Sequence, residues 1–224
     1  YSGCASGILN SPDETSTPET DPYIEVKYDA ETHVKGKQVN KIAFQTRTGL
    51  REDQNAPLFF WPSRLDPMQK GCSLLTDNLY NVVHKYWDQG LQIAIVANGS
   101  YQPIFRDIVA RHDFYDRVLV CDFDEGLSRF AFAARDFILM PSLFGPWGLP
   151  QMTSQYFGSL PVVHDTGGLH DTVEPLNVNT HTGNGFLFET YDDGGLMWAM
   201  DEAMRFWSLP PEVKEPEISR VMRE

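Results

Sequence analysis

Residues 92–141, QIAIVANGSYQPIFRDIVARHDFYDRVLVCDFDEGLSRFAFAARDFILMP, carry three short apolar runs separated by longer polar intervals. QIAIVA (92–97), RVLVC (117–121) and DFILMP (136–141) show no polar alternation, so they read as strands buried on both faces. Between the last two, Leu127, Phe130 and Ala134 recur at helical spacing on one face. The same grammar extends outward. LFFW (58–61) precedes the stretch, and LPVVH (160–164) and GFLFE (185–189) follow it. Leu74, Leu75, Leu79, Val82, Val83 and Tyr86 form one helical face, and Leu196, Trp198, Met200, Ala203 and Met204 a looser one. Neighbouring parallel strands need a crossover, usually helical, so this alternation predicts an α/β fold. The expected architecture is a doubly wound, mainly parallel, six-stranded Rossmann-like sheet, with ligands at the carboxyl ends of the strands near the topological switch point.

Composition narrows the function classes. A chain of 224 residues with 42% apolar content forms one large domain or two small ones. The expected division is an N-terminal arm, linker and packing helix over 1–56 and a ligand-binding domain over 57–224. NSPDETSTPETDP (10–22) reads as an exposed arm with no buried face, and a helix is expected over Lys37–Thr48, stopped by Gly49. A formal charge of −13 argues against nucleic acid, and no apolar run approaches a membrane span. Cys4, Cys72 and Cys121 have neither disulfide parity nor C-x-x-C spacing, which fits a reducing cytoplasm. The six scattered histidines lack metal-ligand spacing, so neither a metal nor a cofactor is expected.

Chemistry concentrates in two strand-to-helix turns within PSLFGPWGLPQMTSQYFGSLPVVHDTGGLHDTV (141–173). In TGGLHDTV, Gly167 and Gly168 let a ligand approach the backbone where a Cβ would block it, Thr166 adds a hydroxyl, and Asp171 can cap the next turn. Helix N-termini that follow such turns favour phosphate, because orphan amides and the helix dipole both attract an anion. In an acidic chain an anion also needs local cations. WPSRLDPMQKG (61–71) supplies them directly after the first strand, Arg64 as a planar fork and Lys70 as a mobile point charge.

These motifs together resemble the nucleotide-sugar site of bacterial glycogen and plant starch synthases. That family's pattern is close to PSRFEPCGL…PVV…TGGLxDTV, with SRLxxQKG upstream; here Arg64 and Lys70 are six apart where five is usual. The resemblance spans nearly the whole chain and implies the C-terminal, Rossmann-like half of a GT-B glycosyltransferase. It implies ADP-glucose as donor and glycogen or another α-1,4-glucan as acceptor, with retention of configuration and no metal. By the same likeness Arg64, Lys70, Leu149, Thr166, Gly167 and Gly168 bind the donor, and Phe123 stacks on adenine, although a plain core phenylalanine is an equally open reading there. YSGCASGILN resembles the family's interdomain linker GIxNGID, and PEVKEPEISRVMRE stops within a helix. The N-terminal domain of the same enzyme, with its K-x-GGL loop, is therefore an expected partner, and this part alone is expected to be inactive.

One position divides the functional reading. Where the family carries its catalytic Glu this chain has Gly145, flanked by Leu143 in place of Arg and Trp147 in place of Cys. Glu125, Glu174 and Asp165 belong to other turns and do not substitute obviously. A carboxylate there stabilises charge at the anomeric centre, and glycine cannot. The alternative reading is thus a catalytically impaired nucleotide-sugar or glucan-binding module, in which Tyr156, Trp147, Trp198 and Trp207 offer stacking faces. A flavodoxin-like signalling domain would need an acidic cluster after the first strand, where only Asp66 stands.

Overall fold

The computed structural model describes residues 17–66, 70–140, 155–165 and 173–224. Among them the order is α1 (His33–Thr48), β1 (Leu58–Trp61), α2 (Lys70–Lys85), β2 (Gln92–Val96), α3 (Gln102–His112), β3 (Val118–Cys121), α4 (Glu125–Ala134) and β4 (Phe137–Met140), then β5 (Leu160–His164), β6 (Phe186–Phe188), α5 (Asp193–Trp207) and α6 (Pro211–Arg223). All six apolar runs are strands. They form one sheet in the order β3-β2-β1-β4-β5-β6, every pair parallel. The chain winds from β1 out to β3, then crosses back to β4 and winds out to β6. The switch point therefore lies between β1 and β4, the place where folds of this kind bind ligands at the carboxyl edge.

Burial explains why the strands lack polar alternation. Phe59 and Trp61 of β1 pack with Ile93, Ile95, Phe137 and Leu139 beneath α2, α3, α5 and α6. Leu58 and Phe60 point the other way, onto Phe44 of α1 and Phe130, Ala131 and Ala134 of α4. Each large side chain so buried contributes about 1.5–3 kcal/mol. None of the described helices is long and apolar enough to cross a membrane.

At the amino edge of the sheet the packing is polar. Lys41 Nζ lies 2.6 Å from Asp136 Oδ2 with both side chains buried, and donates to Ala56 O at 2.8 Å. Asp136 Oδ2 also accepts Leu58 N at 2.9 Å. This pair ties α1 to the starts of β1 and β4. Removing one partner would strand the other charge, at a cost of about 3–5 kcal/mol.

Two expectations change. The first helix begins at His33, not Lys37, because Asp29 Oδ1 accepts from the backbone N–H of Glu31 and Thr32 and organises the turn that starts it. It ends as expected, with Gly49 left-handed at φ 83°. Over residues 17–22 the acidic stretch is not a solvated arm. Asp21 is fully buried, 3.2 Å from Arg129 Nη2 on α4, and accepts Tyr23 N. Ile24 and Tyr28 then pack on Ala133 and Phe157. The partner of that buried carboxylate is more than a hundred residues away, so no local pattern marks it.

Candidate functional site

β1 delivers the chain to the carboxyl edge, where Pro62–Asp66 turns back along the ends of the strands. Leu65 anchors this turn. Its side chain is buried, its N–H donates to Asn98 O at 2.9 Å, and its carbonyl accepts Tyr101 N at 2.8 Å. With Leu65 pinned, Arg64 projects outward with a side chain 67% exposed. Its Nε donates to Asp66 Oδ2 at 2.9 Å, which occupies one of its five N–H donors. An ion pair this exposed is worth about 0–1 kcal/mol, so a phosphate can compete for the guanidinium.

β2 contributes the Asn98-Gly99 turn. Gly99 has φ 147°, and a Cβ there would lie 2.2 Å from Leu65 O. The close approach of these two backbones therefore requires glycine. Asn98 reaches the other way, its Oδ1 accepting Phe123 N at 3.0 Å. Phe123 follows β3 and is 56% exposed, so the core-phenylalanine alternative fails. Arg64 and Phe123 thus stand on loops after β1 and β3, and the β2 loop hydrogen-bonds to both neighbours. Behind them Asp124 caps α4 by accepting Leu127 N, and Gln102 Nε2 bridges Ala97 O and Asp122 Oδ1.

Asn98 and Gly99 were not singled out in the sequence. The signal was present: an Asn-Gly dipeptide directly after a buried strand marks a tight turn. Its importance is tertiary, since what it holds are residues 33 before and 25 after Asn98 along the chain.

The thiols near the edge are not poised for chemistry. Burial pushes the Cys72 thiol up to about 12, and Asp66 adds to the shift. Cys121 is also raised by burial. Lys70 opens α2. Gly145, Leu149, Thr166, Gly167 and Gly168, with Leu143, Trp147 and Asp171, lie outside the described residues. What is described is where their segments depart. Residues 141–154 leave the end of β4, and 166–172 follow β5 and Asp165. β4 pairs directly with β1 across the switch point, so the first of these segments leaves the same edge as the Arg64 turn.

No protein-family model matches the chain. It is 39% identical over 211 residues to the glycogen synthase of Streptococcus gordonii, covering 92% of this chain and 43% of that protein. With the glycogen synthase of Geobacillus thermodenitrificans it shares 35% identity over 220 residues, 97% of this chain and 44% of the relative. The chain therefore spans less than half the length of these curated relatives. Among solved structures, the catalytic domain of starch synthase IV from Arabidopsis thaliana, bound to ADP and acarbose, superposes with a TM-score of 0.81 at 30% identity. That match covers 94% of this chain and 43% of the other. The C-terminal domain of a group 1 glycosyltransferase from Francisella tularensis shares the fold alone, with a TM-score of 0.60 at 10% identity over 82% of this chain and 89% of that one. By sequence and by fold, the chain belongs to the glycogen and starch synthase family, as the C-terminal, Rossmann-like part of a GT-B glycosyltransferase.

Proposed function

We propose that this chain is the donor-binding part of a cytoplasmic enzyme that transfers glucose from ADP-glucose to the non-reducing end of an α-1,4-glucan, with retention of configuration. The observation that carries the reading is an exposed guanidinium and an exposed aromatic ring on the loops after β1 and β3, both loops hydrogen-bonded to the β2 loop at the carboxyl edge of the sheet. A nucleotide diphosphate presents a π-face and charged oxygens, and those two residues match them. Arg64 grips the diphosphate together with Lys70, Phe123 stacks on the base, and Leu149, Thr166, Gly167 and Gly168 complete the donor pocket. The solved starch synthase of similar sequence and fold holds ADP, which supports adenine as the base. The acceptor side is supplied by an N-terminal domain of the same enzyme.

The second reading rests on Gly145. Without a carboxylate at that place the protein binds ADP-glucose but transfers glucose poorly, because binding and chemistry depend on different groups.

Calorimetry with ADP, UDP and AMP tests the donor reading. ADP should bind more tightly than UDP, and AMP more weakly than ADP. Arg64→Ala should weaken ADP by roughly 1.5–3 kcal/mol, the worth of a charge-assisted hydrogen bond. Equal ADP affinity in wild type and Arg64→Ala would remove the phosphate-grip assignment.

A further inference from the structure

β6 is the outermost strand of the sheet, and a cavity of about 660 Å³ runs along it, closed on the far side by the first turns of α5. Its described lining is apolar at Leu176, Phe186, Leu187 and Phe188 and acidic at Asp165, Glu189, Asp192 and Glu202, with Trp198 beside them. The volume lies within the range of small-molecule sites. β6 stands two strands beyond β4, about 10 Å across the sheet from the switch point, and Asp165, next to Thr166, is where the cavity borders the proposed donor pocket.

Trp198 is the informative residue. The helix commits Leu196, Ala199, Met200 and Ala203 to the core, which sets Trp198 and Glu202, one turn apart, on the outer flank. The other described tryptophans are occupied within this structure. Trp61 is 2% exposed, Trp87 has Arg117 Cζ 3.7 Å above its ring, and Trp207 carries Lys214 Nζ at 3.8 Å. Trp198 instead is 56% exposed at the mouth of a cavity.

The chemistry of the lining selects the ligand. Asp165, Glu189, Asp192 and Glu202 are among the described residues that line the cavity, which include no lysine or arginine. Arg205 pairs with Glu202 and Asp192 caps Gly195 N, but the described lining stays net acidic and disfavours an anion. Carboxylates accept hydrogen bonds from hydroxyl groups, and a flat indole packs on the apolar face of a pyranose ring. A cationic peptide is the competing ligand, but recognition of a lone cation is built from several rings around the charge, and of the described aromatics lining the cavity Phe186 and Phe188 are buried and Trp198 is exposed.

We propose that the β6–α5 cavity is an accessory carbohydrate site for a neutral oligosaccharide, beside the proposed donor pocket. The choice of an α-1,4-glucan as probe rests on the proposed glucosyl transfer. The site tethers a polymer that the transfer reaction extends, raising its local concentration.

Maltoheptaose is titrated into the protein while indole fluorescence is followed, with ADP titrated in parallel. Saturable binding is expected, weakened about tenfold by Trp198→Ala and less by Trp198→Phe, which keeps a stacking ring. Raising salt from about 0.05 M to about 0.5 M should leave the affinity nearly unchanged, because the ligand is uncharged. ADP affinity should be the same in Trp198→Ala as in wild type, which also shows that the variant is folded. Absence of saturable maltoheptaose binding, or binding indifferent to Trp198→Ala, overturns the proposal. So does tight, salt-sensitive binding of an oligolysine peptide that displaces maltoheptaose. Loss of ADP binding with maltoheptaose binding intact would count against the donor reading alone.

Discussion

Lys37 donates from Nζ to two backbone carbonyls, Arg135 O at 2.6 Å and Phe157 O at 3.2 Å, from a buried position on α1. Burial brings its pKa down to about 7, against the pull of Asp136, with Lys41 and Arg135 adding like-charge repulsion. A neutral amine still has two N–H donors, as many as the carbonyls it meets. The unfolded chain keeps this proton to a pKa of about 10.4, so between about pH 7 and pH 10 the unfolded state binds more protons than the folded one. Stability attributable to this group should therefore rise with pH across that window. Urea unfolding of wild type and Lys37→Met at about pH 6.5 and about pH 9 checks it, with the difference shifting toward wild type at the higher pH. A difference independent of pH would mean that Lys37 keeps its charge in the fold. Neither the burial nor the carbonyl partners can be read from HVKGKQVNK, which looks like an ordinary solvated helix.

At the scale of an element, α1 is the informative case. Gly36 sits in its interior, where glycine costs about 1 kcal/mol relative to alanine. The tertiary structure supplies the reason. A Cβ at Gly36 would lie 2.4 Å from Tyr28 Cβ and 2.7 Å from its Cγ, atoms fixed near the backbone. Tyr28 in turn is buried and donates from its hydroxyl to Phe157 O at 2.7 Å, so it has little room to withdraw. Overpacking costs about 1–3 kcal/mol and should outweigh the gain in helix propensity. Gly36→Ala is thus expected to lower the urea midpoint without changing helix content by circular dichroism. A raised midpoint would show that the segment before α1 detaches cheaply. The strands tell the opposite story, since LFFW, QIAIVA and DFILMP declare by composition alone that both their faces are covered.

For the whole molecule, the test concerns transfer. In the full-length protein, replacing the family's carboxylate by Gly145 should slow glucosyl transfer by roughly two to three orders of magnitude, the usual cost of losing a positioned electrostatic group. Gly145→Glu should recover part of that rate with ADP affinity little changed, and adding Trp147→Cys and Leu143→Arg should recover more, because tryptophan is far bulkier than the cysteine the family carries there. Initial rates from ADP-glucose onto glycogen decide the matter. Robust native transfer that these changes do not improve would assign the role to another residue and sink the impaired reading, leaving donor binding intact.

The sequence by itself determined the fold class, because strands buried on both faces must be apolar throughout and helices covering them must be apolar on one side. It also offered Arg64, Lys70, Gly167 and Gly168 as candidates, because residues that would meet a phosphate cluster in short motifs; the two glycines lie outside the described residues. What only the tertiary structure decided are the long-range tethers. Asn98 orients loops from two other strands, Asp21 is buried against Arg129, Gly36 makes room for Tyr28, and the exposed Phe123 is separated from the buried phenylalanines of the core. Each depends on which surfaces meet when the sheet closes, and pairwise proximity between distant residues leaves no periodicity for a linear reading to detect.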